Sequence, residues 1–190
     1  PDTDPVIDDP SVADFILRRA RDIDSARIFP AGAGTKGLGG ERMAEIGLMQ
    51  EAGCVYFTDA DKPIVDSRVL MRLLKYAAGF EAWVAHRPAD PWLSKDSAAT
   101  AGEFAARLGL PSAPEAAERI MLERDLALAE ITGGRLLVDQ ISTAGGLDAL
   151  AYLRRAFAED VAGKLVVFDA RHIHHNVDAV EHRPRDPLLI

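Results

Sequence analysis

Two strand-like runs in the sequence end in residues that could bind a metal ion. The run CVYFTD (54–59) ends in Asp59, and the next run, EAWVAH (81–86), ends in His86. Because consecutive strands usually lie side by side, we expect the two side chains to be neighbours. Carboxylate and imidazole groups are zinc ligands, and bound zinc makes water a nucleophile at neutral pH. The pair therefore indicates zinc-assisted hydrolysis, and a merely polar strand end is the alternative.

Further polar groups stand where other predicted strands end. Thr35 and Lys36 lie in the loop AGAGTKGLGG (31–40), and Asp139 and Gln140 end the run RLLVDQIS. The loop matches neither of the glycine motifs that bind phosphate. A strand-to-helix loop whose glycines adopt unusual backbone angles is therefore favoured over a nucleotide site.

Two more segments allow a functional and a structural interpretation. Ser142 and Thr143, directly after Gln140, could bind a polar ligand or cap the next helix. The tract HIHH (172–175) resembles a metal-binding tract but stands in a tail without periodicity, where a solvated loop is the alternative.

Composition limits the class of protein. The chain has 190 residues, of which 48% are hydrophobic and 27% charged, as is usual for a globular protein. The net charge of −8 argues against a nucleic-acid or anionic-membrane partner, since phosphate contact requires a basic surface. Cys54 is the single cysteine and cannot form an intramolecular disulfide, so we expect a buried thiol and a cytoplasmic location. No apolar run approaches the roughly 20 residues that span a bilayer.

The elements that must position these residues alternate between two periodicities. Helix-like patterns cover 9–22, 41–53, 65–79, 112–134 and 145–160, and strand-like runs cover 26–33, 54–59, 81–86, 135–142 and 164–169. Such alternation predicts βαβ units and a mainly parallel sheet. The sheet could be a doubly wound one of five strands or part of a (β/α)₈ barrel. Both architectures place chemistry at the carboxyl ends of the strands.

Several segments resemble bacterial dihydroorotases of the amidohydrolase superfamily. They are PDTDPVIDD, where that family has Pro-Asn-Thr-x-Pro, and TKGLGGERMAEIGLMQEAG, FTDADKPIVDSRVLMRLLKYA, VAHRPADPWL and GLPSAPEAAERIMLERDLALAEITGGRLLVDQISTAGGLDAL. The resemblance implies an α/β fold, a (β/α) barrel of the amidohydrolase type that these residues represent only in part. Residues 1–150 would form the partial barrel core, and residues 151–190 a C-terminal segment that is part of a small β domain.

The same resemblance implies roles for four residues. Asp59 matches the bridging metal carboxylate and is the implied catalytic residue, and His86 matches a metal histidine, with zinc as the cofactor. Asp2 and Gln140 stand where the family has a substrate-holding asparagine and a metal histidine, and both are implied to bind substrate here. Asp61 belongs to the turn that contains Pro63.

The chain departs from the family at the implied site. The family's His-x-His would precede Pro1, and the later metal histidine is Gln140 here. The substrate-holding asparagine is Asp2, and the family's His-Cys-Glu is His86-Arg87-Pro88. The late catalytic aspartate has no match. These differences weaken a second metal site.

The end of the chain also differs from the family. GKLVVFD (163–169) resembles a strand of the small β domain, which in the family follows long after the barrel. We therefore expect segments to be missing before Pro1 and between about 150 and 163, and a shortened, degenerate relative of the family is the alternative.

Three hypotheses about function follow. The first is a homo-oligomeric, dihydroorotase-like cyclic amide hydrolase that interconverts N-carbamoyl-aspartate and dihydroorotate in pyrimidine biosynthesis. The second is a non-catalytic homologue that binds a partner such as aspartate transcarbamoylase. The third, independent of the resemblance, is a doubly wound domain that binds an acidic or phosphorylated ligand near Thr35 and Lys36.

Overall fold

A computed structural model describes residues 1–23, 26–156 and 165–169. The helices in these ranges are α1 (Pro10–Ile23), α2 (Ile46–Glu51), α3 (Ser67–Ala78), α4 (Glu103–Leu108), α5 (Ala116–Thr132) and α6 (Ala144–Ala156). The strands are β1 (Ala31–Gly32), β2 (Tyr56–Phe57), β3 (Trp83–His86), β4 (Ala99–Thr100), β5 (Ser112–Ala113), β6 (Arg135–Ile141) and β7 (Leu165–Asp169).

Five strands form one parallel sheet in the order β1-β2-β3-β6-β7. Each strand lies beside the next one in this series, so the order never reverses. A doubly wound sheet reverses its strand order at a switch point, whereas a barrel adds strands in sequence. The doubly wound alternative is therefore wrong, and the α/β fold with a partial barrel is confirmed.

The last strand continues this sheet. β7 pairs in parallel with β6, with Leu136 opposite Leu165 and Val138 opposite Val167. The rest of the C-terminal segment, 157–164 and 170–190, lies outside the described residues. The assignment of residues 151–190 to a small β domain stays a prediction.

Helices α3 and α5 cover one face of the sheet. In α3 the apolar residues recur at helical spacing, so that Leu70, Leu73 and Leu74 form one fully buried stripe. They belong to the same hydrophobic core as Leu122 of α5 and Leu136 of β6. Burial of each such side chain contributes roughly 2 kcal/mol of hydrophobic free energy. This layer fixes the strands whose carboxyl ends carry the candidate site.

The helix predicted over 65–79 is capped by Asp66. The side chain of Asp66 accepts a hydrogen bond from the backbone N–H of Arg68 at 2.8 Å, which satisfies a donor of the first turn.

Among the described residues, the helices are too short or too polar to cross a bilayer.

The helix predicted over 41–53 begins later, at Ile46. Residues 35–45 instead form a loop closed by a bridge between Thr35 and Met43. Gly37 and Gly40 have φ angles of 61° and 72°, the left-handed region that glycine adopts without strain. The interpretation of this loop as a glycine-dependent connection is confirmed.

A small unit between β3 and α5 was not predicted. β4 and β5 pair in parallel, and α4 connects them. Each of these elements has six residues or fewer, which is too short for a periodic pattern to be recognised. The unit matters because it forms one wall of a cleft beside the end of β6.

Candidate active-site cleft

Asp59 follows β2 and is held by Thr35. Its side chain is buried, with Oδ1 accepting from the Thr35 backbone N–H at 2.8 Å and Oδ2 accepting from the Thr35 hydroxyl. Burial raises the pKa of Asp59, and the hydrogen bonds from Thr35 and the nearby His86 oppose that rise. The contact joins the loop after β1 to the end of β2.

His86 ends β3 and is bonded at both ring nitrogens. Nε2 accepts from the backbone N–H of Ile64 at 2.8 Å, so the ring proton lies on Nδ1. Nδ1 donates it to Oδ2 of Asp125 at 2.6 Å. His86 thus connects the loop after β2 to helix α5 through the protein interior.

Asp125 is a site residue that the sequence did not reveal. Asp125 lies in the charged segment ERDLALAE (123–130) of α5, yet it is only 1% exposed. Arg124 donates to Oδ1 of Asp125 through Nε at 2.9 Å and Nη2 at 2.5 Å. Its third nitrogen, Nη1, donates to the carbonyl of Val65 at 2.9 Å. A local charge pattern could not show this burial, because the partner of Asp125, His86, is distant in sequence.

The described residues do not fit a zinc site as they are arranged. They contain no group of three or more His, Cys, Asp or Glu side chains that could hold a metal ion. The ring nitrogens of His86 are both occupied, and both oxygens of Asp59 already accept from Thr35. The roles of Asp59 as catalytic residue and of Asp59 and His86 as ligands stay predictions. The histidines of 172–175 lie outside the described residues.

A second group of charged side chains, Arg87, Asp61 and Asp139, lies near the carboxyl ends of the strands. Nη1 of Arg87 donates to Oδ1 of Asp61 at 2.8 Å, and Asp61 lies in the turn before Pro63, as predicted. Burial raises the pKa of Asp139, which the positive charge of Arg87 opposes and the negative charge of Asp61 reinforces. Arg87, Asp61 and Asp139 therefore interact electrostatically at the carboxyl ends of β3 and β6.

A cleft of about 710 Å³ opens beside this group. Its walls are the loop after β3, strands β4 and β5, the start of α5 and the end of β6. Arg87, Asp139 and Gln140 supply polar groups to it, with Ser97 and Thr100 on the facing wall. In the C-terminal part of β6 the register with β7 shifts, and Gln140 there has a φ of 58°.

The predicted site residues are divided by this arrangement. Gln140 lines the cleft, whereas Asp59 and His86 are buried in the protein interior and do not line it. Asp2 is near the N-terminus with a side chain that is 71% exposed, and it does not line the cleft either. The substrate-binding roles of Asp2 and Gln140 stay predictions.

Glu118 fixes the turn that leads from β6 to α6. Its Oε2 accepts from the N–H and hydroxyl of Ser142 at 2.8 and 2.6 Å. Its Oε1 accepts from the N–H and hydroxyl of Thr143 at 3.0 and 2.6 Å. The hydroxyl of Thr143 also accepts from the N–H of Gly146 at 3.0 Å, so the capping interpretation is confirmed.

Comparison with known proteins extends over most of the chain. A family model described as dihydro-orotase-like matches residues 1–145. A dihydroorotase of Desulforapulum autotrophicum is 40% identical over 152 residues, 80% of this chain and 36% of that protein. One of Syntrophobacter fumaroxidans is 42% identical over 147 residues, 77% and 34%. A dihydroorotase-like protein of Pseudomonas aeruginosa is 40% identical over 151 residues, 80% and 36%.

Solved structures confirm the fold. An L-hydantoinase (dihydropyrimidinase) from Arthrobacter aurescens matches with a TM-score of 0.55 and 18% identity, over 83% of this chain and 35% of that chain. A D-hydantoinase matches with a TM-score of 0.50 and 18% identity, over 80% and 35%. The chain spans about a third of the length of the curated relatives it matches. Sequence and fold agree, and the chain belongs to the dihydroorotase-like family of amidohydrolases.

Proposed function

We propose that the protein hydrolyses a cyclic amide, and that the reaction is the reversible opening of dihydroorotate to N-carbamoyl-aspartate in pyrimidine biosynthesis. The family match over residues 1–145 supports the reaction class. The observation that carries the proposal is the position of the cleft at the carboxyl ends of β3 and β6. Barrel enzymes have their chemistry at this end of the strands.

The cleft residues match the polar groups of such a ring. An ionised Asp139 accepts hydrogen bonds, which suits the N–H groups of a cyclic amide. The side-chain amide of Gln140 both donates and accepts, so it can pair with a carbonyl or with an N–H. Their joint role is to orient the ring, and misplacing it by even 1 Å slows a reaction strongly.

Zinc enters the proposal through the family alone. Asp59 and His86 would have to exchange their present hydrogen bonds for a metal ion, and the described residues provide no third ligand. We therefore derive no catalytic step from zinc, and its presence is tested separately from the reaction.

The reaction is tested by following dihydroorotate and N-carbamoyl-aspartate in both directions with the purified full-length protein. We expect turnover above the uncatalysed rate and a loss of about tenfold or more in Asp139→Asn, which keeps the shape of the side chain but lowers its acceptor capacity. Glu123→Gln, an exposed change on α5, is the control and should retain the wild-type rate. Absence of turnover in both directions contradicts the proposal.

The zinc part is tested by elemental mass spectrometry on the same preparation. About one or more zinc ions per chain, lost in the double variant Asp59→Ala, His86→Ala, would support zinc as the cofactor. Turnover by a protein without zinc would show that the zinc part is wrong while the reaction stands.

A further inference from the structure

Arg87 is the one cation among the described residues that line the cleft. A guanidinium group has five N–H donors, and one of them, on Nη1, binds Asp61. The other donors of Arg87 have no hydrogen-bond partner among the described residues. Asp61 itself is not part of the cleft wall. Arg87 therefore presents unused donors and a positive charge at the wall of a cavity.

The ion pair that occupies Arg87 is weak. The side chains of Arg87 and Asp61 are 37% and 78% exposed. Ion pairs at such exposure contribute little free energy, since water and salt screen them. A carboxylate that enters the cleft can thus share or replace Asp61 at small cost. Guanidinium groups bind carboxylates through paired hydrogen bonds, which lysine does not match.

The helix end in the cleft wall, which could also bind an anion, is already occupied. The first turn of α6 offers backbone N–H donors, but Glu118 binds those of Ser142 and Thr143. Glu115 accepts from the N–H of Gly145. The chain's own carboxylates therefore fill the positive end of this helix. Among the described lining residues, Arg87 is the one charged donor that remains for an anionic ligand, and the side chains of Gln140 and Thr100 offer neutral donors only.

Resting on the proposed function, we propose that Arg87 determines specificity by binding the carboxylate of a carboxylate-bearing cyclic amide. Asp139, which lines the same cleft and interacts electrostatically with Arg87, accepts an N–H of the ring. A cation beside an acceptor complements a ligand that carries both a carboxylate and amide N–H groups. A neutral cyclic amide uses only the second of these groups and so binds more weakly.

The test uses two ligands that differ by one carboxylate, dihydroorotate and 5,6-dihydrouracil, and measures their dissociation constants by calorimetry on the full-length protein. We expect dihydroorotate to bind about tenfold or more tightly than dihydrouracil, as for a charge-assisted contact. In Arg87→Gln the ratio of the two constants should fall to about one, mainly through weaker dihydroorotate binding. Asp61→Asn should tighten dihydroorotate binding, because it releases Arg87 from its present partner.

Arg135→Gln is the matched control. Arg135 is an arginine of similar exposure, 35%, paired at 3.2 Å with the exposed Glu81 away from the cleft. It should leave the ratio unchanged. The proposal is overturned if the ratio of the two dissociation constants is unchanged in Arg87→Gln, or if Arg135→Gln lowers that ratio as much as Arg87→Gln does. It is also overturned if the protein binds neither ligand. Turnover of dihydroorotate with an unchanged ratio would overturn it and leave the proposed function standing. Selective binding of dihydroorotate without turnover would support the role of Arg87 and contradict the proposed function.

Discussion

His86 and Arg87 are adjacent in sequence but lie in opposite environments. The His86 ring is 2% exposed and bonded at both nitrogens, whereas Arg87 is 37% exposed and uses one donor. Side chains alternate between the two faces of a strand, so consecutive residues at a strand end meet different neighbours. His86 meets helix α5, and Arg87 meets the cleft. A reactive residue type at a strand end is therefore available for chemistry only on one face.

The contrast extends to the acids. Asp59 and Asp125 are almost fully buried and serve internal hydrogen bonds, whereas Asp139 lines the cleft with Arg87, and Asp61 pairs with Arg87 from outside the cleft wall. We call Asp59, His86 and Asp125 the locked set, because their hydrogen bonds connect elements of the fold. We call Arg87 and Asp139 the cleft set, because they offer polar groups to a ligand. Substitutions in the first set should therefore act on stability, and those in the second on binding.

Asp125→Ala should have the largest effect on stability. It removes the acceptor of His86 and leaves the charge of Arg124 without its partner, and breaking such a buried pair costs about 3–5 kcal/mol. The measurement is the free energy of unfolding from urea denaturation. Glu123→Ala, two residues earlier on the exposed side of α5, should change it by less than about 0.5 kcal/mol. Similar losses in both variants would show that Asp125 is not a locked residue.

Glu118→Ala should follow with a loss of about 2–4 kcal/mol, because the N–H groups of Ser142 and Thr143 lose their acceptors. Urea denaturation measures the loss, and amide hydrogen exchange of Ser142 and Thr143 should accelerate. Unchanged exchange at these two amides would contradict the role of Glu118 in fixing the turn.

Thr35→Val should reduce stability by about 1–2 kcal/mol. It keeps the backbone N–H bond to Asp59 but removes the hydroxyl donor, so one buried carboxylate oxygen loses a partner. Thr35→Ser is the control, since it retains the hydroxyl and should be less destabilised. If the two variants lose equal free energy, the hydroxyl bond contributes nothing and the loss comes from packing.

Arg87→Gln should change the free energy of unfolding by less than about 1 kcal/mol, and so should Arg135→Gln, because both break exposed ion pairs. The two variants should differ only in ligand binding. If Arg87→Gln lowered the free energy of unfolding by several kcal/mol, Arg87 would have a structural role like that of the locked set.

Asp139→Asn should have the smallest effect, visible as a pH dependence. The pKa of Asp139 is raised in the folded protein, so the folded state holds this proton more tightly than the unfolded state. The contribution of Asp139 to stability is therefore fully present below its ordinary pKa of 3.8 and lost as pH rises through the raised pKa. The wild type should lose stability relative to the variant across this window. A difference in urea midpoints that does not vary with pH would contradict this sign.

The sequence allowed much of the fold to be predicted because its signals are local. Helix α3, with its apolar stripe and the Asp66 cap, follows from spacing and side-chain chemistry within one segment. The order β-α-β along the chain predicted a parallel sheet for the same reason. The unit of β4, α4 and β5 was missed because such short elements depend on their contacts with the rest of the fold.

The sequence by itself determined the family, the residue types at the strand ends and the departures at Asp2, Arg87 and Gln140. Only the tertiary structure decided which of these residues are occupied. Asp125 is 39 positions from His86, and Glu118 is 24 positions from Ser142, so neither contact is visible in a local pattern. Burial removes water as a competing partner, and polar groups inside the protein must then bond to one another. Asp59 and His86 are buried and therefore bonded to other protein groups, whereas Arg87 and Asp139 line the cleft, where a ligand can reach them.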